Sequence, residues 1–393
     1  MQCLYACGCE LPAKPHVPLQ QKKDHMQKNT TKEICNIDLL RGLAAITILF
    51  WHYQHLYFPE AGVNPVFSQP SIQPLFASFS WLYTKGGWAV EFFWILSGFV
   101  FFHAYRLRRE VSLREYAVNR FARLYPLHLI TLLIVAMLQI VSHAYLGKFQ
   151  IYPENDVYHF VLNLFMASHW GFQEGFSFNA PIWSISVEVL VYGLFFVFLK
   201  GLGVSLWSAL AWLACSLLLL KTTSSPILQC AALFSLGGVV HQLSLQIATR
   251  LGAAANGILA GGVLVLVVAL IAFGSYPLEP VVKFAVFPVL IWLAAALEML
   301  GISAGRVGIA TGNLTYSSYL IHVPIQICLI LVMDIFIGSR DPVGSPVFLV
   351  SYLAGVLVAA HFTYRFVELP LKRRLRDWRP SGRAAHEGMS GQG

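Results

Sequence analysis

The sequence predicts an all-α, polytopic membrane protein with about ten transmembrane helices. Of its 393 residues, 57% are hydrophobic and only 12% are charged, and the mean hydropathy is +0.63. A soluble domain carries about 25% charged residues, and a core of this size could not bury so much apolar surface. The apolar segments are long and continuous, whereas the strands of a membrane β-barrel alternate. The composition therefore excludes a disordered chain and argues against a soluble enzyme.

Ten apolar segments approach the roughly 20 residues that a helix needs to cross a bilayer. In chain order they are 38–57, 86–105, 121–145, 181–199, 203–220, 226–245, 253–273, 281–300, 316–337 and 346–366. The shorter apolar segment 157–170 is predicted to lie in the interface or to re-enter the membrane without crossing it. The chain thus divides into a polar tail (1–36), a ten-helix membrane domain (37–368) and a basic cytoplasmic tail (369–393).

Lysine and arginine predict how these spans are oriented, because cytoplasmic loops carry an excess of both. If the N-terminus is inside, most of the 27 basic residues fall in cytoplasmic segments. We therefore expect an integral membrane protein with both termini in the cytoplasm. The net charge of +8 then follows from the topology. No motif for nucleic-acid binding is present, and no nucleic-acid partner is expected.

The first span carries two residues that are costly at membrane depth and are therefore candidates for function. Arg41 and His52 are 11 residues apart, which places both side chains on one helical face, about 16 Å apart along the axis. One extended ligand could contact both. The alternatives are that Arg41 snorkels to the inner interface and pairs with Asp38, and that His52 bonds to the backbone near the outer boundary.

The second and third spans add further candidates. Glu91 and Ser97 are polar positions in an aromatic helix, although Ser97 could simply permit close helix packing. Arg120 and Arg123 are spaced i, i+3 and share a helical face. Arginine forms paired hydrogen bonds with phosphate, so the two could clamp a phosphate at the cytoplasmic side. The alternative is that they belong only to the basic cytoplasmic loop.

The fourth and ninth spans each begin with a polar cluster. Trp183 and Ser186 open the fourth span, where Trp183 fits the outer aromatic belt. Glu188 lies one to two turns deeper, where a carboxylate needs a partner. In the ninth span, Tyr319 and His322 are again spaced i, i+3. His322 could instead form a hydrogen bond within a proline kink.

Six segments that contain these residues resemble, in order, the motifs of the acyltransferase-3 family of integral membrane O-acyltransferases. They are RGLAAITILFWH, VEFFWILSGF, NRFARLYPLH, APIWSISVEV, NLTYSSYLIHVP and YRFVELPLK. Members of that family modify bacterial exopolysaccharides, lipopolysaccharide O-antigen, peptidoglycan, Nod factors and macrolides, so the resemblance implies the bacterial inner (plasma) membrane as the location. One segment, VEVLVYGLFF, lacks the second acid that many members have directly after Val-Glu, which weakens any two-carboxylate mechanism there.

The resemblance implies an acyl-CoA donor, expected to be acetyl-CoA, and an acceptor hydroxyl, expected on a carbohydrate or another envelope or secreted molecule. We expect His52 to act as general base or transient acyl carrier, assisted by Arg41 and Glu188. Arg41, Arg120 and Arg123 are expected to bind the donor. The residues assigned to substrate binding are Glu91, Ser97, Trp183, Ser186, Tyr319 and His322. No metal is expected, because the spans show no zinc-type ligand spacing.

Two other classes of function remain open. A multi-span transporter of a polar or anionic solute would also place Arg, His and Glu in its spans, but it would not consume a thioester. A structural or sensory membrane protein would tolerate alanine at His52 and Arg120. The two halves of the sequence show no matched pair of Gly/Pro-broken helices, the usual pointer to a transporter.

Overall fold

The computed structural model describes residues 34–108, 111–274 and 276–377, and these ranges contain helices and no strands. The α-helices are α1 (Cys35–His52), α2 (Phe76–Lys85), α3 (Ala89–Tyr105), α4 (Leu113–Leu146), α5 (Val157–Leu164), α6 (Trp183–Gly201), α7 (Leu206–Leu220), α8 (Pro226–Leu251), α9 (Ala253–Phe273), α10 (Leu278–Met299), α11 (Gly305–Val332), α12 (Pro346–Thr363) and α13 (Leu369–Asp377). The predicted all-α membrane fold is confirmed. Of the two predicted tails, residues 1–33 and 378–393 lie outside the described ranges.

Eight segments of the described chain are long and apolar enough to cross a membrane. They coincide with eight of the predicted spans. At the first and fifth predicted spans, α1 has 18 residues and α7 has 15. The total of ten therefore remains a prediction. Helix α5 lies in segment 157–170 and has 8 residues, which is too short to cross a bilayer.

Helix α4 begins at Leu113, about two helical turns before the predicted start at 121. The Ser112 side chain accepts a hydrogen bond from the Glu115 backbone N–H at 3.1 Å and caps the helix. Hydropathy does not detect these polar first turns. Arg120 and Arg123 consequently lie within a long helix rather than at its beginning.

Helices α1 and α11 run side by side in the same direction and approach closely through glycine. A Cβ atom on Gly308 would lie 2.1 Å from the Cys35 carbonyl oxygen, and one on Gly312 would lie 2.6 Å from the Asp38 Cβ. Such small residues let helix backbones come together in a membrane. This contact brings the polar faces of the first and ninth predicted spans into register.

Helices α3 and α8 meet in the same way at the centre of the larger hydrophobic core. A Cβ atom on Gly98 would lie 1.8 Å from the Phe234 carbonyl oxygen. Around this crossing, Phe101, Phe195 and Phe234 are almost completely buried. A second core cluster joins the end of α1 to α4, α11 and α12. The candidate site lies where α1, α3, α4, α6 and α11 face one another.

Candidate active site

A partly open cavity of about 90 Å³ lies between these five helices. Its lining includes the predicted residues Arg41, Ser97, Arg123, Glu188 and Tyr319. These five residues, which belong to five different predicted spans, therefore face one space. This volume has room for several water-sized groups.

The two cavity arginines differ in how they are paired. Arg41 Nη1 lies 2.9 Å from Asp38 Oδ1, so the expected pairing with Asp38 is present and Arg41 still reaches the cavity wall. Arg123 makes no hydrogen bond or ion pair within 4 Å with any described residue. An unpaired guanidinium at membrane depth is costly. Arg123 is thus the stronger candidate for contact with an anionic ligand.

Arg120 is placed differently from Arg123 although the two are one helical turn apart. Its guanidinium lies over the Phe101 ring, 4.4 Å from the centroid, and 5.7 Å from the centroid of Tyr192. It also donates to the Tyr105 hydroxyl at 3.4 Å. Arg120 is not among the residues that line the cavity. Cation–π contact with these rings makes it part of the wall behind the cavity.

Glu188 is buried in the cavity wall beside the hydroxyl groups of Ser97 and Tyr192. One of its carboxylate oxygens, Oε1, has no hydrogen-bond partner among the described residues. Arg41 and Arg123 are its nearest cations. No hydrogen bond joins Glu188 to His52 in the described chain, so its observed neighbours belong to the arginine end of the site.

His52 is paired with a second histidine. Its Nδ1 atom lies 3.0 Å from Nε2 of His322, and the two rings stack with centroids 4.9 Å apart. His322 is completely buried and follows Tyr319 by one helical turn on α11, with ring centroids 6.0 Å apart. Because Tyr319 lines the cavity, the histidine pair lies just beyond the end of the cavity opposite the arginines. One ring nitrogen of His322 thus reaches a different helix, α1.

Two residues that the sequence interpretation did not select hold the histidine pair in place. Gln326, one turn after His322, donates to the His52 carbonyl oxygen at 2.8 Å and to the Tyr352 hydroxyl at 2.9 Å. His55 Nδ1 donates to Gln326 Oε1 at 3.0 Å, and its ring stacks on His52. His55 lies three residues after His52, and Gln326 lies four residues after His322. This helical spacing was the sequence signal that could have identified both residues as neighbours of the histidine pair.

Glu91 lies outside the cavity in an ion-paired cluster. Its carboxylate accepts a hydrogen bond from Lys283 Nζ at 2.6 Å, and Glu279 accepts a second from the same amine at 2.5 Å. The Lys283 and Glu91 side chains are 7% and 14% exposed. Glu91 is therefore held in an ion pair with Lys283. No hydrogen bond joins Glu91 to His52 in the described chain, and its predicted contact with substrate remains a prediction.

Ser186 and Trp183 lie where α6 meets the loop before it. The Ser186 hydroxyl accepts from the His169 backbone N–H at 3.2 Å, and its carbonyl accepts from Trp170 Nε1 at 2.8 Å. The Trp183 ring packs against the His169 ring with centroids 5.0 Å apart. Ser186 is completely buried and anchors this loop. The predicted contacts of Ser186 and Trp183 with substrate remain predictions.

Ser184 is a cavity residue that the sequence interpretation passed over. Its hydroxyl lies 2.8 Å from the Tyr319 hydroxyl, and Tyr319 also donates to the Pro181 carbonyl oxygen at 2.6 Å. These bonds tie the start of α6 to α11. They fix the Tyr319 ring between the cavity and the histidine pair.

Glu154, Asp156 and His159 are the described residues whose potential metal-ligand atoms come close together. Asp156 Oδ1 accepts from the His159 backbone N–H at 2.8 Å, which lowers the pKa of the Asp156 carboxyl, and it lies 2.9 Å from His159 Nδ1. His159 Nε2 accepts from the Glu174 backbone N–H at 3.2 Å. Both ring nitrogens of His159 are thus engaged, and the group acts as the N-terminal cap of α5.

Two comparisons with known proteins bear on this site. The acyltransferase-3 family model, described as an acyltransferase domain, matches residues 35–365. The acyltransferase MdmB of Streptomyces mycarofaciens is 36% identical over 112 residues, which cover 28% of this chain and 27% of MdmB. No solved structure matches the chain. Because the family model covers most of the chain, including both histidines and both cavity arginines, the protein belongs to the acyltransferase-3 family of membrane acyltransferases.

Proposed function

We propose that this protein is an inner-membrane O-acyltransferase. It moves an acyl group, expected to be acetyl, from cytoplasmic acyl-CoA to a hydroxyl of a carbohydrate or another envelope or secreted acceptor. The observation that carries the proposal is the arrangement of one cavity. An unpaired Arg123 lies at one end, and the His52–His322 pair lies beyond the other. An enzyme that uses a CoA thioester needs a site for the CoA phosphates and a base near the thioester, and the two must be separated by about the length of the pantetheine arm.

The spacing between the two ends supports this assignment. Arg41 and His52 belong to the same helix and are about 16 Å apart along its axis. The pantetheine arm of CoA is of comparable length. With the CoA phosphates near Arg123 and Arg41, the arm would extend along α1 and place the thioester beside His52. Both termini and the donor site would then face the cytoplasm, as the distribution of basic residues predicts.

The hydrogen bond between the imidazoles favours one tautomer of His52. The backbone carbonyls of Ser318 and Tyr319 lie beside the His322 ring, and Nδ1 is the nitrogen left for them because Nε2 faces His52. Carbonyl oxygens only accept hydrogen bonds, so this environment favours a proton on His322 Nδ1 and a lone pair on its Nε2. His52 Nδ1 would then donate to His322. The lone pair of His52 would be on Nε2, which makes no hydrogen bond with a described residue and is free to act as a base.

The reaction follows from this tautomer. The acceptor oxygen attacks the thioester carbonyl carbon as its proton passes to His52 Nε2. When the C–S bond breaks, the imidazolium returns the proton to the departing CoA sulfur. Glu188 is assigned to the arginine end, where it balances the charge of Arg41 and Arg123 before the donor binds. In the alternative course, His52 accepts the acyl group and passes it on.

The test is the release of CoA thiol from acetyl-CoA by detergent-purified protein, with and without a panel of carbohydrate hydroxyl acceptors. We expect acceptor-dependent release that falls by about a hundredfold to ten-thousandfold in His52→Gln. His361→Gln is the matched control, because His361 is exposed on α12 and makes no hydrogen bond in the described chain. Absence of thiol release with every acceptor would favour the transporter, which binds its solute without cleaving a thioester.

A further inference from the structure

The last described helix brings additional positive charge to the arginine end of the cavity. Helix α13 follows a π-helical turn at Tyr364–Glu368 and packs against α4. Its half-buried Lys372 lies close enough to Arg120 and Arg123 for direct electrostatic repulsion. Clustered cations in a partly desolvated place are unfavourable unless an anion joins them.

The acidic groups nearby do not neutralise this cluster. Asp38 is paired with Arg41. The carboxylate of Glu368 accepts a hydrogen bond from the Ser317 hydroxyl at 2.6 Å and lies near both Arg123 and Lys372. Neither Arg123 nor Lys372 has an ion pair within 4 Å of a described carboxylate. Glu188 acts on Arg123 and Arg41 but not on Lys372. Glu368 is therefore the carboxylate that Arg123 and Lys372 share, and it lies beyond ion-pair distance of both.

We infer that Lys372 binds the ribose 3′-phosphate of the CoA donor while Arg123 meets the diphosphate. The inference rests on the proposed function, because it takes CoA as the ligand. It follows from the order of groups along CoA. The diphosphate adjoins the pantetheine arm and belongs with Arg123, which lines the cavity. The 3′-phosphate is farther from the thioester, so we assign it to Lys372, which does not line the cavity. The next two residues, Arg373 and Arg374, are exposed, so this part of α13 lies at the protein surface.

The experiment measures the affinity of CoA and of 3′-dephospho-CoA for detergent-purified full-length protein. We expect the wild type to bind CoA about tenfold or more tightly than 3′-dephospho-CoA, the range for a charge-assisted contact. Lys372→Gln should bind both ligands alike, with the affinity that the wild type has for 3′-dephospho-CoA. Lys372→Arg, which keeps the charge, should preserve the discrimination.

Arg374→Gln is the matched control, because it removes the same charge from an exposed position of the same helix. It should leave the ratio of the two affinities unchanged. A wild type that does not discriminate between the ligands overturns the inference, and so does a Lys372→Gln variant that still does. If the wild type binds neither CoA ligand, the proposed function itself fails, which distinguishes the two failures.

Anionic lipid headgroups offer the same phosphate chemistry as CoA. Repeating the titrations in nanodiscs of phosphatidylcholine, with and without phosphatidylglycerol, separates the two sources. We expect the discrimination between CoA and 3′-dephospho-CoA to persist in phosphatidylcholine alone. If Lys372→Gln abolishes stabilisation by phosphatidylglycerol and leaves CoA affinity intact, Lys372 is a lipid contact and the inference is wrong.

Discussion

Glutamine substitutions at His52 and His322 can separate a base from the residue that orients it. Glutamine forms hydrogen bonds but cannot take up a proton at neutral pH. If His52 is the base, His52→Gln removes the proton acceptor. In His322→Gln, by contrast, the amide oxygen can still accept the hydrogen bond that His52 Nδ1 donates across 3.0 Å. The same chemical change should therefore have very different effects at the two positions.

The magnitudes follow from the roles. Loss of a general base costs about a hundredfold to ten-thousandfold in rate. His322→Leu removes the orienting bond and leaves His52 Nδ1 without a partner. This loss should cost about 1–3 kcal/mol, which lowers the rate roughly five- to 150-fold. His322→Gln should stay within about tenfold of the wild type, because a neutral hydrogen bond contributes about 0.5–1.5 kcal/mol.

The assay is acceptor-dependent CoA release at saturating acetyl-CoA, with folding checked by thermal unfolding in detergent. The reasoning predicts the order wild type, His322→Gln, His322→Leu, His52→Gln, from fastest to slowest. The opposite result, in which His322→Gln is inactive and His52→Gln retains turnover, would make His322 the base and reverse the assigned tautomers.

Three further predictions concern the walls of the site. Arg123→Gln should weaken CoA binding about tenfold or more. Arg120→Gln should instead lower the thermal stability, because its contacts with the aromatic rings are lost. A CoA titration and a melting curve of each variant test these two expectations. Gly98→Ala should destabilise the protein by about 3 kcal/mol, because its Cβ would lie 1.8 Å from a backbone oxygen of α8; Gly193→Ala, which faces open space, should melt like the wild type. Lys283→Met should lower the free energy of unfolding by roughly 3–5 kcal/mol, because it leaves the Glu91 carboxylate without its ion pair. An unchanged melting temperature would contradict this expectation.

The all-α membrane fold could be predicted from the sequence because apolar length is a local property. The bilayer requires about 20 apolar residues per helix, and the chain meets that requirement segment by segment. Helix ends could not be predicted as well. The first turns of α4 and of α11 are polar, so hydropathy placed the start of both helices too late. Helix caps and polar first turns leave a weak hydropathy signal although they extend the helix.

The candidate residues were predictable to the extent that polarity at membrane depth is rare. Their partners were not. Sequence spacing puts Arg120 and Arg123 on one face, yet Arg120 lies on the ring of Phe101 while Arg123 lines the cavity. His55, which the sequence interpretation did not select, is buried and bonded to Gln326. Such differences depend on which neighbouring helix each side chain meets, and a periodic pattern within one helix does not contain that information.

The two ends of the site are held apart by a rigid element. Helix α1 carries Arg41 and His52, so their separation is set by the helical rise of about 1.5 Å per residue. Its close contact with α11 through Gly308 and Gly312 fixes the second histidine at the same height. A loop could adjust to ligands of many lengths, whereas this pair of helices cannot. If the donor is the acyl-CoA that we propose, the α1–α11 contact sets the distance that its flexible pantetheine arm has to bridge between the phosphates and the thioester.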